Sequence, residues 1–125
     1  MVKVSDVMTR DIASVAHNAS IVDAANAMLK NGVSSVVVKK GEETVGIITD
    51  KDFVRLASFG GNPRGVTSNM NTGLISIGHD ADLLDAFKLM KEKDVRHLFV
   101  KEKGSIVGII SSKDIFRGMA DMPSV

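Results

Sequence analysis

Hydrophobic and polar positions in the first half of the chain follow two periods, which predict alternating strands and helices. Three short apolar runs have the length and composition of β-strands. Apolar residues at helical spacing follow the first run, and a second amphipathic segment follows the third. The predicted strands are Ile12–Val15, Val36–Lys39 and Val45–Thr49, and the predicted helices run from Asn18–Ser20 to Gly32 and from about Lys51 to Ala57.

The ends of the first predicted helix carry recognisable signals. Ser20 with Asp23 three residues later has the spacing of a capping box. Gly32 can end the helix because glycine enters the left-handed conformation without steric cost. The apolar stripe expected to face inward comprises Ala24, Ala25, Met28 and Leu29.

The second half of the chain has the same order of predicted strands and helices. Its predicted strands are Leu74–Ile77, His97–Lys101 and Ile106–Ser111, and its predicted helices are Asp82–Lys93 and Lys113–Met119. Leu83, Ala86, Phe87 and Met90 are expected to face inward. Asp94 stands where Gly32 ends the earlier helix, so this helix end is predicted to be weaker.

The two halves are an internal repeat. When the chain is shifted by 62 residues, Met8–Leu56 aligns with Met70–Gly118 without a gap, and 17 of the 49 aligned pairs are identical. Each half is therefore predicted to form one β-α-β-β-α unit. Together the two halves predict an α+β fold with two repeats related by a pseudo-twofold axis. The expected boundaries are 1–58 for the first repeat, 59–66 for a glycine- and proline-rich linker, and 67–125 for the second repeat.

Length, composition and charge argue against several classes of function. A repeat of about 50 residues buries too little surface to be stable alone, so the two halves are expected to fold together. A net charge of +1 argues against nucleic-acid binding. Without cysteine the chain has no disulfide and no thiolate metal site. The sequence contains no apolar run of membrane-spanning length and no signal peptide, so we expect a cytoplasmic protein without membrane contact.

Candidate chemistry lies in a motif that both repeats carry. Gly46-Ile-Ile-Thr49-Asp-Lys-Asp52 returns as Gly108-Ile-Ile-Ser111-Ser-Lys-Asp114. In one interpretation the hydroxyl residue and the aspartate are a helix cap with an acidic first turn. In the other, the helix N-terminus and the hydroxyl hold a phosphate while the aspartate accepts hydrogen bonds from a ribose. Both interpretations fit the residues.

These residues resemble the cystathionine-β-synthase (CBS) domain pair, also called a Bateman module. The resemblance rests on Asp6-Val-Met-Thr9, the run Gly32–Val38, the run Val95–Val100 and the two Gly-Ile-Ile-Thr/Ser-x-x-Asp motifs, and it covers nearly the whole chain. The chain departs from the family pattern at Arg10-Asp11, where many members have proline, and at Asn69-Met-Asn-Thr72-Gly73, where Val-Met-Thr is usual.

The resemblance implies two clefts that bind adenosine ligands and that each combine both repeats. Cleft one would join Thr49 and Asp52 to Leu74, Ile75, Val95, Arg96 and His97. Cleft two would join Ser111 and Asp114 to Ile12, Ala13, Val33, Ser34 and Ser35. Cleft one is the favoured site because Arg96 and His97 can bind phosphate, although either cleft could receive these two cations.

The leading hypothesis is a regulatory, energy-sensing module that binds AMP, ADP or ATP and acts on a partner protein or through its own oligomer. The alternatives are an S-adenosylmethionine sensor and a structural oligomerisation domain that binds no ligand. No catalytic constellation, required cofactor or metal site is expected. A homodimer is expected through apolar residues of the last helix in each repeat, namely Phe53, Leu56 and Phe59, and Ile115, Phe116 and Met119.

Overall fold

The computed structural model of the chain describes residues 2–59 and 64–120. Its elements, in chain order, are α1 (Val4–Val7), β1 (Ser14–Ala16), α2 (Ile21–Asn31), β2 (Ser35–Lys40), β3 (Glu43–Thr49), α3 (Asp50–Phe59), β4 (Ser76–Gly78), α4 (Leu83–Lys93), β5 (His97–Glu102), β6 (Ser105–Ser111) and α5 (Ser112–Ala120). The β-α-β-β-α order predicted for each half is confirmed. Helix α1 was not predicted from the sequence. Within the described part of the chain, no helix has both the length and the apolar character needed to cross a membrane.

The strands form two three-stranded sheets of the same topology. In the first sheet β1 runs parallel to β2, and β2 runs antiparallel to β3, with Ser35 opposite Thr49. In the second sheet β4 runs parallel to β5, and β5 runs antiparallel to β6, with His97 opposite Ser111. Each sheet therefore brings the start of its middle strand beside the end of its last strand.

The chain divides into two compact units whose boundaries do not follow the repeats. The central unit spans Ile12–Leu74, and the terminal unit joins the residues up to Asp11 with those from Ile75 onward. The expected boundaries 1–58, 59–66 and 67–125 stay predictions. Residues 60–63 of the expected linker lie outside the described residues.

Each unit has an aliphatic core between its sheet and its helices. The central core contains Ile21, Ala24, Met28, Val36, Val38, Ile48 and Val66. The terminal core contains Val4, Leu83, Ala86, Met90, Leu98, Val100, Ile110 and Ile115. The middle strands are near-continuous apolar runs because they are buried on both faces, as Val36, Val37 and Val38 show.

The first residues of each repeat, before its first strand, pack in the unit that contains the sheet of the other repeat. In the central unit, Asn71 and Ile47 exchange backbone hydrogen bonds of 2.9 and 3.0 Å. In the terminal unit, Thr9 and Ile109 exchange bonds of 2.8 and 3.0 Å. Val4 of α1 is fully buried in the terminal core. These pairs account for the division of the chain at Asp11 and Leu74.

The repeated glycines of the motif make this packing possible. A Cβ atom at Gly108 would lie 2.6 Å from the Met8 sulfur and 3.0 Å from the Thr9 carbonyl oxygen. A Cβ atom at Gly46 would likewise overlap the Met70 side chain. Both glycines therefore admit a methionine from the preceding segment.

The helix ends agree with the sequence-based expectation. Ser20 and Asp23 form a complete capping box at the start of α2. Gly32 ends α2 in the left-handed conformation at φ 61°, and Asp94 ends α4 in the same conformation at φ 54°.

Some sequence-based predictions were wrong in detail. The first strands begin at Ser14 and Ser76 rather than at Ile12 and Leu74, because pairing with the middle strands starts there. Leu29 and Phe87 were expected to face inward, but they are 81% and 47% exposed. Each sheet covers only a narrow stripe of its helix, and both side chains lie beside that stripe.

Candidate functional site

The predicted motif in the central unit forms the turn between β3 and α3. Thr49 is the last residue of the strand, and Asp52 lies in the first turn of the helix. The backbone amide of Thr49 donates to Oδ2 of Asp52 at 2.8 Å, and the Thr49 hydroxyl lies 3.5 Å from the same oxygen. Asp52 is buried. The aspartate therefore fixes the direction in which the helix leaves the sheet.

The equivalent turn in the terminal unit has a fuller set of hydrogen bonds. The Ser111 amide and hydroxyl donate to Oδ2 of Asp114 at 2.9 and 3.1 Å. The Asp114 amide donates back to the Ser111 hydroxyl oxygen at 3.2 Å. This reciprocal pair is a capping box, so the capping interpretation of the motif is confirmed at this turn.

Two arginines that the sequence analysis left unassigned contact the motif aspartates. Arg55 Nη1 lies 3.1 Å from Oδ1 of Asp52, and Arg117 Nη1 lies 3.9 Å from Oδ1 of Asp114. The signal was the Asp-x-x-Arg spacing in both repeats, which places the two side chains on one helix face. Each buried carboxylate is thus compensated by a partly exposed cation.

Capping does not use all the hydrogen-bonding capacity of these carboxylates. An ionised aspartate has about four lone-pair sites on its two oxygens. Oδ2 of each aspartate accepts from its own turn. In Asp114, Oδ1 lies beyond hydrogen-bond length from Arg117, so this contact is an ion pair without a close hydrogen bond. The capping and ribose interpretations are therefore compatible in one residue.

The start of the middle strand lies beside the motif in each unit. In the central unit, Ser35 pairs with Thr49, and the Ser34 carbonyl accepts from the Asp50 amide at 3.1 Å. In the terminal unit, the corresponding residues are Arg96 and His97. His97 pairs with Ser111, and the Arg96 carbonyl accepts from the Ser112 amide at 2.9 Å.

Paired residues on antiparallel strands place their side chains on the same sheet face. The structure therefore places the His97 side chain on the same sheet face as Ser111, and the Arg96 backbone beside Ser112, within one unit. It brings Ser34 and Ser35 to the Thr49–Asp52 turn in the same way. The grouping of Thr49 and Asp52 with Arg96 and His97 in cleft one stays a prediction.

The remaining expected ligand residues lie at the edges of the two sheets. The Ala13 carbonyl accepts from the Val37 amide, and the Ile75 carbonyl accepts from the Phe99 amide, each at 2.9 Å. Val33 and Val95 follow the helix ends and donate to Met28 and Met90 at 3.1 and 3.0 Å, which closes each helix. The half-buried apolar residues beside the first strands are Ile12, Ala13, Leu74 and Ile75.

Comparison with protein families identifies both repeats. The model of the CBS domain matches residues 4–58 and again residues 64–121. The chain belongs to the CBS domain family. The two repeats are a tandem CBS pair, and the resemblance stated from the motifs is confirmed.

Relatives of this CBS pair include archaeal and bacterial proteins. An uncharacterized protein of Methanopyrus kandleri, MK0525, is 34% identical over 93% of this chain, which spans 62% of that protein. The CBS domain-containing protein YhcV of Bacillus subtilis is 30% identical over 92% of this chain and 84% of its own length. The chain thus spans less than two thirds of the first of these relatives.

Solved CBS pairs share the fold at low sequence identity. The CBS domain pair of MJ0100, in complex with 5′-methylthioadenosine and S-adenosyl-L-methionine, has a TM-score of 0.84 at 23% identity, covering 96% of this chain and 97% of its own. CBSX2 in complex with AMP has a TM-score of 0.79 at 22% identity with the same coverage. Both likenesses establish the fold.

Proposed function

We propose that this CBS pair is a regulatory module that senses AMP, ADP or ATP in the clefts between its repeats. It would act on a partner protein in the cytoplasm or through its own homodimer, and it would need no cofactor for chemistry. The observation that supports this proposal is the duplicated turn, in which a hydroxyl residue and a buried aspartate flank a helix N-terminus. The positive end of the helix dipole at each of these helix starts favours phosphate.

The charges around the two turns differ, which indicates where phosphate binds. Both turns have a lysine and an arginine on their helices, namely Lys51 and Arg55, and Lys113 and Arg117, so these cations do not distinguish them. The Ser111–Asp114 turn in addition adjoins Arg96 and His97. The Thr49–Asp52 turn adjoins two serines and has a second acid, Asp50. We therefore assign the phosphate-binding role to Arg96 and His97 and place it at the turn of their own unit.

The second candidate ligand is S-adenosylmethionine, which carries a sulfonium cation instead of phosphate. The support is the central-unit turn, where Asp50 is an acid additional to the Asp52–Arg55 pair and lies beside the small side chains of Ser34 and Ser35. A cationic ligand suits such a turn better than a polyphosphate does. The fold of MJ0100, which binds this ligand, is the same.

Calorimetric titration and thermal denaturation with AMP, ADP, ATP and S-adenosylmethionine test the proposal. At a concentration about 100 times the dissociation constant, the preferred ligand should stabilise the folded protein by about 2.7 kcal/mol. Adenosine serves as the control that lacks phosphate and sulfonium. A melting temperature unchanged by millimolar concentrations of all four ligands would support the structural oligomerisation domain instead.

The homodimer is a further proposal, and it rests on the exposed helix residues. Phe116 and Met119 of α5 are 68% and 53% exposed, which agrees with the surface expected from the sequence. Ile115 is buried in the terminal core and cannot contribute. Phe53 and Leu56 pack partly against the central core, and the Phe59 side chain lies outside the described residues. Sedimentation at micromolar concentration should show a dimer.

A further inference from the structure

The two motif aspartates use their carboxylate oxygens in the same way. In each unit, Oδ2 accepts from the amide and the hydroxyl of the residue that ends the last strand. The other oxygen, Oδ1, lies on the side of the arginine one helical turn further on. A carboxylate oxygen has about two lone-pair sites, so a ligand finds the remaining capacity of each aspartate at Oδ1.

The arginine contact at Oδ1 differs between the two units. Arg55 Nη1 lies 3.1 Å from Oδ1 of Asp52, where the ion pair is also a hydrogen bond. Arg117 Nη1 lies 3.9 Å from Oδ1 of Asp114, beyond hydrogen-bond length. The arginine therefore occupies Oδ1 in the central unit and does not occupy it in the terminal unit.

The hydroxyl contacts at Oδ2 differ in the opposite sense. The Ser111 hydroxyl lies 3.1 Å from Oδ2 of Asp114, whereas the Thr49 hydroxyl lies 3.5 Å from Oδ2 of Asp52. The Asp114 carboxylate is thus held mainly by its own turn. The Asp52 carboxylate is shared between its turn and Arg55.

Burial limits how many partners can reach these carboxylates. The side chains of Asp52 and Asp114 are 9% and 11% exposed, whereas the Arg55 side chain is 57% exposed. A ribose hydroxyl must reach Oδ1 of Asp52 from the exposed side, which is where the Arg55 guanidinium lies. An ion pair with an exposed, flexible partner is weak, so a ligand can displace the guanidinium, but at a cost in affinity.

We propose that Arg55 competes with the ribose of a bound nucleotide for Asp52, whereas Arg117 leaves Asp114 available to it. This inference rests on the proposed function and adds a residue that sets the affinity of one turn. An adenine nucleotide displaces a guanidinium hydrogen bond at the Thr49–Asp52 turn and none at the Ser111–Asp114 turn. The two turns therefore fill at different nucleotide concentrations, and the Ser111–Asp114 turn fills first.

Competition and charge attraction have opposite signs, which makes them separable. Removing a cation near a bound phosphate weakens binding, whereas removing a competitor strengthens the contact with the ribose hydroxyls. AMP and 2′,3′-dideoxy-AMP carry the same phosphate, but only AMP offers these hydroxyls. The dissociation constant of dideoxy-AMP divided by that of AMP, called here the hydroxyl ratio, therefore measures the hydroxyl contact alone.

Titration followed by two-dimensional ¹⁵N NMR measures the hydroxyl ratio at each turn. The Thr49 and Ser111 amides each donate to a motif aspartate, so their chemical shifts report binding at their own turn. In the parent we expect a hydroxyl ratio of about ten or more at Ser111 and about three or less at Thr49. Arg55→Met should raise the ratio at Thr49 to about ten and leave the ratio at Ser111 unchanged.

Two matched variants remove a cation without removing a competitor. Arg117→Met removes the repeat-equivalent arginine, and Lys51→Met removes an exposed charge beside Asp52. Each should leave both hydroxyl ratios within about twofold of the parent. An Arg55→Met protein with the parent's ratio at Thr49 would overturn the competition, as would a parent with equal ratios at the two turns. A lower ratio in Arg55→Met would overturn it as well, because the guanidinium would then support ribose binding.

The outcomes separate this inference from the proposed function. AMP that shifts neither amide overturns nucleotide sensing and the competition together. If AMP binds the parent at Ser111 alone, Arg55→Met should make the Thr49 turn bind it too. A variant that still binds at Ser111 alone overturns the competition and leaves nucleotide sensing intact.

Urea denaturation without nucleotide gives a second test. Double-mutant cycles that combine the aspartate-to-alanine and arginine-to-methionine changes measure how strongly each pair is coupled. The folding equilibrium constant should show a coupling of about threefold for Asp52 with Arg55 and less than about 1.5-fold for Asp114 with Arg117. Equal coupling of the two pairs would overturn the difference on which the competition rests.

Discussion

Replacing Gly108 by alanine perturbs the point where the N-terminal segment packs on the second sheet. The added methyl group would lie 2.6 Å from the Met8 sulfur and 3.0 Å from the Thr9 carbonyl oxygen. The Met8 side chain has rotatable bonds and can move aside. The Thr9 backbone cannot do so easily, because its amide and carbonyl are both hydrogen-bonded to Ile109.

This geometry sets the magnitude of the effect. Overpacking against a fixed backbone costs about 1–3 kcal/mol of unfolding free energy. For a chain of this size, a loss of 1 kcal/mol lowers the melting temperature by roughly 4 °C. Gly108→Ala should therefore melt about 4–12 °C below the parent.

Differential scanning calorimetry of matched variants measures this shift. Gly65→Ala is the control, because a Cβ atom there would make an ordinary contact of 3.7 Å with the Ala19 carbonyl oxygen. Adding Met8→Ala to Gly108→Ala should recover part of the loss, because the sulfur then leaves the space that the new methyl group needs. A Gly108→Ala protein that melts within 1 °C of Gly65→Ala would refute the described packing of Met8 and Thr9.

Two further predictions concern stability. Ser111→Ala should cost about 1 kcal/mol of unfolding free energy and Thr49→Ala less, because the Asp114 amide donates to the Ser111 hydroxyl in a complete capping box. Equal losses of the two variants in urea denaturation would contradict this difference. Val4→Ala should cost about 2 kcal/mol of unfolding free energy, because Val4 is fully buried in the terminal core although it lies far from the second repeat in sequence. The exposed Val22→Ala is the control, and a Val4→Ala protein as stable as this control would contradict the placement of α1.

The sequence predicted the parts of the fold whose signals are local. Ser20 with Asp23 and the glycine at position 32 mark the ends of α2 because capping depends on a few neighbouring residues. The repeat extended the same interpretation to the second half, where Asp94 adopts the left-handed conformation that Gly32 adopts in the first half. Helix ends that depend on such short-range interactions can be predicted from the sequence without knowledge of tertiary contacts.

Features that depend on distant contacts were not predicted. Helix α1 is four residues long, too short for a periodic signal, and Val4 is buried by a repeat that begins more than fifty residues later. Periodicity also placed Leu29 and Phe87 in the core, although both are exposed. An apolar residue at the edge of the buried stripe has helical spacing whether protein or solvent covers it, so spacing alone does not distinguish the two. The pairing of His97 with Ser111 required the strand register.

The candidate site likewise contains residues that the sequence predicted and contacts that only the structure shows. Thr49, Asp52, Ser111 and Asp114 were found from a motif that occurs twice, and the structure places each pair at a strand-to-helix turn. The contacts of Arg55 and Arg117 with the aspartates follow from helix spacing and could have been predicted. The position of Arg96 beside Ser112 could not, because the two residues are far apart in sequence and meet through strands β5 and β6.

The most direct test of nucleotide sensing is calorimetric titration of AMP into the parent, Asp52→Ala and Asp114→Ala. If a motif aspartate holds the ribose through charge-assisted hydrogen bonds worth about 1.5–3 kcal/mol, its loss should weaken binding by about 10- to 100-fold. Because Arg96 and His97 adjoin Ser111, the larger loss is expected for Asp114→Ala. If both variants bind AMP as tightly as the parent but melt at lower temperature, the aspartates act only as helix caps and the proposed site is wrong.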